Sequence, residues 1–202
     1  GGVLTPMRLP QLPISEHLDA LAEALTAGNR AVLSAPPGAG KTTLVPLHLL
    51  HQPWRGDGRI LVLEPRRLAA RAAASRMAAL LGESVGGTVG YRMRLDNRIS
   101  ASTRIEVVTE GVFVRMILDD PELQGVAAVL FDEFHERSLD ADLGLAFARD
   151  VQSVLREDLR LVVMSATIDG ARFAALLGDA PVIESAGKAF PLAIRWLGAR
   201  PE

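Results

Sequence analysis

The 202-residue sequence has no cysteine, which removes a disulfide framework and a thiolate zinc site from consideration. A reducing, cytoplasmic compartment fits that absence. Tyr and Trp are scarce, with one and two copies, too few for an extended platform of stacked rings. No apolar run reaches the ~18 residues that a membrane-spanning helix needs. The N-terminus lacks the charged, apolar and small-residue order of a secretory signal. Gly1-Gly2 reads as an expression-tag remnant outside the fold. Lysine is almost missing: of 22 basic residues, only Lys41 and Lys188 are not Arg.

What is present argues for a packed globule. The apolar share is 49%, too high for a disordered chain. The net charge of −2 conceals a strong asymmetry. Residues 59–115 carry ten Arg against five acids, and residues 116–185 carry five Arg against fourteen acids. A polyanion-binding face beside a metal-binding face produces that pattern, and so do helix faces that differ only in solvated charge.

Five short apolar runs punctuate the chain: Ala31–Ser34, Ile60–Leu63, Ile105–Val108, Val126–Phe131 and Leu161–Met164. Each is too short for a helix, and near-continuous apolarity suggests strands buried on both faces of a parallel sheet. Helices are expected between them. One is capped by Ser15, carries Leu18, Leu21 and Leu25 on one face and ends at Gly28. Others cover Arg67–Leu81, Leu139–Leu155 and Asp169–Leu177. Alternating strands and helices define an α/β domain with an open, mostly parallel sheet and helices on both faces. Pro46 falls inside the helix expected after residue 40, where it removes a backbone donor.

The segment Ala35-Pro36-Pro37-Gly38-Ala39-Gly40-Lys41-Thr42 leaves the first strand and opens a helix, with Thr43 next. This is the P-loop pattern, with Ala35 where the strict form has Gly. Gly38 and Gly40 let backbone N–H groups turn inward on phosphate oxygens, and the helix N-terminus adds its positive end. Lys41 is placed to reach the β- and γ-phosphates of ATP or another nucleoside triphosphate, and Thr42 to ligate Mg²⁺. In a chain that otherwise uses Arg, a compact ammonium at this position is a specific choice. Asp132-Glu133 ends a buried strand, at the sheet edge where open α/β sheets bind ligands. Asp132 is expected to hold Mg²⁺, directly or through water, and Glu133 to orient and deprotonate the attacking water; either carboxylate is able to touch the metal. A metallohydrolase built from Asp132, Glu133, His135 and Glu136 lacks the usual paired-His spacing.

Asp132-Glu-Phe-His-Glu-Arg-Ser138 resembles the Asp-Glu-Ala-His box of superfamily 2, DEAH-type helicases, with Phe134 in place of Ala. Ser165-Ala-Thr167 looks like their third motif, and Glu64-Pro-Arg-Arg-Leu-Ala-Ala70 like the motif that grips a nucleic-acid backbone. Gly90-Tyr-Arg-Met-Arg94 and Thr109-Glu-Gly111, with Arg115 a helical turn on, fit the strand-contacting elements that follow. The Phe variant, with the Arg-rich motifs, narrows the resemblance to one bacterial member.

The resemblance implies a RecA-like P-loop NTPase domain over 3–187, with 188–202 a final strand or linker toward an absent second RecA-like domain. It implies ATP and Mg²⁺ as cofactors, and single-stranded nucleic acid, RNA before DNA, as partner. Arg66, Arg67, Thr109, Gly111 and Arg115 become candidate strand contacts, Arg76 a base-stacking residue, and His135, Ser165 and Thr167 coupling residues. Without the second domain's arginine fingers, the segment is expected to be nearly inactive as an enzyme. A nucleotide-gated nucleic-acid-binding module without unwinding stays open as the alternative.

Overall fold

The computed structural model describes residues 14–36, 40–132, 139–166 and 170–184. The expectations for Gly1-Gly2 and for 188–202 lie outside them. Residues 1–41 with 162–202 form one compact unit, and residues 42–161 a second.

The first unit contains α1 (Ile14–Ala27), β1 (Arg30–Ser34), the end of β7 (Arg160–Ser165), α6 (Gly170–Leu176) and β8 (Val182–Glu184). Its strands run in the order β7-β1-β8. β1 and β8 are parallel, with Val32 opposite Val182 and Ser34 opposite Glu184. Arg30 Nη1 donates to the carbonyl of Leu177 at 3.0 Å and ties the start of β1 to the chain leaving α6.

The second unit contains β2 (Arg59–Leu63), α3 (Arg67–Leu80), β3 (Val89–Met93), β4 (Asp96–Arg98), β5 (Ile105–Val108), α4 (Glu110–Asp119), β6 (Val126–Phe131) and α5 (Leu139–Asp150). α2 (Lys41–Leu49) begins one residue before it. The strand order is β4-β3-β5-β2-β6. β2 pairs in parallel with β5 and β6, β3 is parallel to β5, and only β4 is antiparallel to its neighbour. All residues of β5 and β6 are buried, as two-faced burial requires.

The five apolar runs are all strands, extended by Arg30, Arg59, Arg160 and Ser165. α3 stops as its composition suggests. Gly82 takes φ 72°, its N–H bonds Ala79, and Glu83 N–H reaches back to Ala78 at 2.9 Å, a Schellman closure. Three expectations change. α1 starts at Ile14, so Ser15 lies inside its first turn instead of capping it. Its buried face is His17, Leu21, Ala22, Ala24 and Leu25, so Leu21 and Leu25 lie where expected, while Leu18 is half-exposed. The long helix from Leu139 leaves α geometry at Asp150 and closes as a π-turn, with Arg156 N–H bonded to Val151 O.

Pro46 is buried inside α2, and its missing N–H leaves the Thr42 carbonyl without its helical partner. The helix resumes with Leu50 N–H bonded to Pro46 O at 3.0 Å.

His17 is fully buried, and neither ring nitrogen has a hydrogen-bond partner among the described residues. Desolvation lowers its pKa from 6.5 to about 4. The unfolded chain therefore binds the proton that the folded chain refuses, and stability falls as pH drops from about 6.5 toward 4. Urea unfolding at pH 4.5 and 7.5 is expected to lose about 2–3 kcal/mol from this group, a loss absent in His17→Leu. Equal pH dependence in the two proteins contradicts the assignment.

Candidate nucleotide and nucleic-acid sites

Several strands of the two units end in a buried polar residue. Ser34, Glu64, Asp132, Ser165 and Glu184 are each 7% exposed or less, at positions where an apolar strand gives way to a loop. In the first unit, Ala35 N–H donates to the Ser165 carbonyl at 3.0 Å, so the chain entering the phosphate loop is bonded to the end of β7. Gly40 adopts φ 87°, a left-handed conformation that glycine reaches without strain. Lys41, the first residue of α2, is 5% exposed. A buried ammonium at a helix N-terminus faces both desolvation and the positive end of the helix dipole. An anion at that position offsets both.

In the second unit, Thr42 Oγ1 donates to Asp132 Oδ2 at 2.8 Å. Asp132 is 1% exposed, and its other oxygen, Oδ1, has no hydrogen-bond partner among the described residues. A buried carboxylate oxygen left in this way calls for a cation or a donor. Beside a Thr hydroxyl it fits a hard divalent cation such as Mg²⁺, which takes oxygen ligands.

The same unit holds a groove of about 610 Å³, lined in part by Arg92, Arg94, Leu95, Thr109, Gly111 and Arg115. Two supports shape it. The first is α4, whose buried Phe113 meets Phe131 of β6 edge-on, with ring centroids 5.9 Å apart. Burial of such a ring contributes about 1.5–3 kcal/mol and fixes where Thr109, Gly111 and Arg115 emerge. On α5, Gly144 lies so close that an added Cβ would stand 3.2 Å from the Phe113 ring.

The second support is the β3–β4 hairpin, folded back on α3. Arg71 is paired with Asp96, Tyr91 Oη donates to the same carboxylate at 3.1 Å, and Arg67 Nη1 donates to the Arg94 carbonyl at 3.2 Å. The hydrogen bond from Arg71 holds the Asp96 carboxyl below the usual carboxylate range. Leu95 at the hairpin tip is 94% exposed and has φ 63°, an unusual conformation for a branched residue.

The DEAD/DEAH box helicase family matches residues 16–175. The chain belongs to that family. It is 54% identical to the ATP-dependent RNA helicase HrpB of Escherichia coli (strain K12), over 94% of this chain and 23% of that protein. It is 35% identical to the ATP-dependent RNA helicase HrpA homolog of Haemophilus influenzae, over 97% of this chain and 15% of that protein. A crystal structure of the Escherichia coli DEAH/RHA helicase HrpB overlays with TM-score 0.82 at 55% identity, covering 90% of this chain and 23% of that one. The chain thus spans under a quarter of these relatives, and its fold is RecA-like.

Against that helicase frame, Ala35, half-buried Pro36, Gly40, Lys41, Thr42 and Thr43 occupy the start of α2 and its approach, and Asp132 the end of β6. Thr109, Gly111 and Arg115 share the groove, while Arg66 and Arg67 are exposed at the start of α3 and line a shallower recess with Leu68 and Ala69. Arg76 lies on the exposed face of α3, opposite the buried Ala74 and Ala78. Pro37, Gly38, Ala39, Glu133, His135 and Thr167 lie outside the described residues. Arg92 falls inside the Gly90–Arg94 motif, whereas sequence reasoning did not single out Asp96 or Glu106. The acid inside the apolar run Ile105-Glu-Val-Val108 is the signal available for Glu106, since a buried carboxylate needs cations nearby.

Gly90 is where β4 approaches β3 most closely: an added Cβ would stand 2.2 Å from the Arg98 carbonyl oxygen. Gly90→Ala must push β4 outward, which is expected to lower unfolding free energy by about 1–3 kcal/mol and to speed amide exchange at Asp96–Arg98. A melting temperature and exchange rates equal to wild type contradict this packing.

Proposed function

We propose that the chain is the ATP-binding, Mg²⁺-dependent, ATP-hydrolysing motor domain of a DEAH-type helicase that acts on RNA in preference to DNA in the bacterial cytoplasm. Lys41 carries the reading: a nearly buried ammonium at the start of α2, next to a hydroxyl bonded to a strand-end carboxylate. The loop from Ala35 to Thr43 cradles the phosphates, and Lys41 neutralises the β- and γ-phosphate oxygens. Thr42, Asp132 and Glu133 would hold Mg²⁺, which would supply further positive charge to the phosphates. Glu133 would orient the attacking water and take its proton.

Arg76 would stack on the base. Ser165 is suited to coupling, because its carbonyl holds the first residue of the phosphate loop. His135 and Thr167 would act with it, against a second RecA-like domain of the parent chain. Arg66, Arg67, Thr109, Gly111 and Arg115 would hold phosphates of a single strand, so recognition would be sequence-tolerant. The chain by itself would turn ATP over very slowly, because arginine fingers from the second domain contribute on the order of 10³–10⁵ in rate in related NTPases.

Calorimetric titration with ADP and Mg²⁺ tests the site. Lys41→Ala is expected to lose roughly 1.5–3 kcal/mol of binding free energy while far-ultraviolet circular dichroism stays unchanged. Undiminished ADP binding by the variant removes the phosphate site from Lys41. ADP binding that does depend on Lys41, with no strand-stimulated hydrolysis by the full-length parent, favours the nucleotide-gated binding module instead.

A further inference from the structure

Glu106 sits in the middle of β5 with its side chain 2% exposed. It lies between two arginines of the flanking strands. Arg59 Nη1 of β2 donates to Glu106 Oε2 at 2.5 Å. Arg92 Nε of β3 stands 3.6 Å from Glu106 Oε1, close enough for ionic attraction but too far for a hydrogen bond. Both of those atoms are buried, and neither has a hydrogen-bond partner among the described residues.

The sheet register explains the alignment. Leu61 and Gly90 flank Glu106 on its two sides, and Arg59 and Arg92 are each two residues away along their own strands. Side chains two apart share a face, so the three charged groups form a row. Gly90, having no side chain, lets the backbone of β4 close over this position, with the Arg98 carbonyl where a Cβ would stand. Arg92 continues from this row into the groove that Arg94, Thr109, Gly111 and Arg115 also line.

We infer that Arg92 is a phosphate contact of the bound strand, and that Glu106 is the positioning residue that aims it into the groove. The inference rests on the groove being the strand site proposed above. Glu106 takes one guanidinium edge by charge, and this leaves the outer nitrogens of Arg92 free to turn to a backbone phosphate. The 3.6 Å gap keeps that hold incomplete, so the guanidinium can shift toward the phosphate without breaking a hydrogen bond. Arg59, already bonded, balances the buried carboxylate while Arg92 is engaged.

The electrostatic sign gives the test. Removing a carboxylate near a polyanion site strengthens binding if charge alone matters, and weakens it if positioning dominates. Binding of a fluorescent oligouridylate to the full-length parent protein is measured by anisotropy across a series of KCl concentrations. Arg92→Ala is expected to bind about 3–10-fold more weakly, with a salt slope smaller by roughly 0.7, one single-strand phosphate contact. Arg92→Lys keeps the charge but not the planar fork, and is expected to lose a similar share of affinity with its slope retained. Glu106→Gln is expected to weaken binding severalfold, and to have no further effect once Arg92 is Ala.

Arg92→Lys binding like wild type, Glu106→Gln binding more tightly, or additive effects in the double variant each overturn the inference. Arg115→Ala serves as the control. If it weakens binding while Arg92→Ala does not, Arg92 is no contact and the groove stands. If neither weakens binding, the groove reading itself fails and the inference with it. Should Glu106→Gln fail to fold, Arg92→Lys decides the question, because its side chain is a third exposed.

Discussion

The hydrogen bond from Thr42 Oγ1 to Asp132 Oδ2 joins residues 90 positions apart and locates the start of α2 against the end of β6. Both partners are held from behind. β6 is buried along its whole length, so Asp132 cannot retreat from the apolar strand that delivers it. α2 follows Gly40, a glycine in left-handed conformation, and begins with Lys41 and Thr42. A carboxylate oxygen and an ammonium, both buried, are costly features in an isolated fold. Each calls for a counter-charge of its own, an anion for Lys41 and a cation or donor for Asp132 Oδ1.

The basic face is organised by a different principle. In the Arg-rich stretch 59–115, Arg59 is paired with the buried Glu106, and the half-exposed Arg71 with Asp96. Those pairs do not add to a binding surface. They hold the strands and the hairpin from which Arg92, Arg94 and Leu95 project into the groove. Phe113 performs the equivalent service on the other side through apolar contact. Salt screens the exposed Arg71–Asp96 pair more than Arg59–Glu106, whose carboxylate is buried.

Much of this was legible in the sequence. The five apolar runs reported buried strands, because two-faced burial leaves little room for polar residues, and their polar ends reported the site. Thr42 and Asp132, both singled out in the sequence as expected metal ligands, are hydrogen-bonded to each other in the fold. Three features were hidden. β3 and β4 carry Gly90, Arg92, Asp96 and Arg98, since edge strands and strands that line a groove need not be apolar. The membership of His17 in the buried face of α1 was not readable, because composition assigns such a position to an apolar residue. The roles of Glu106 and Asp96 depend on partners in other strands and helices, and only the folded register brings them together.

The most direct test of the central claim is a crystal structure of this chain with ADP and Mg²⁺. The account predicts the β-phosphate against Lys41 Nζ and the ion about 2.1 Å from Thr42 Oγ1, with Asp132 bound to it directly or through one water. An ion held elsewhere, or a nucleotide whose phosphates avoid the start of α2, contradicts it.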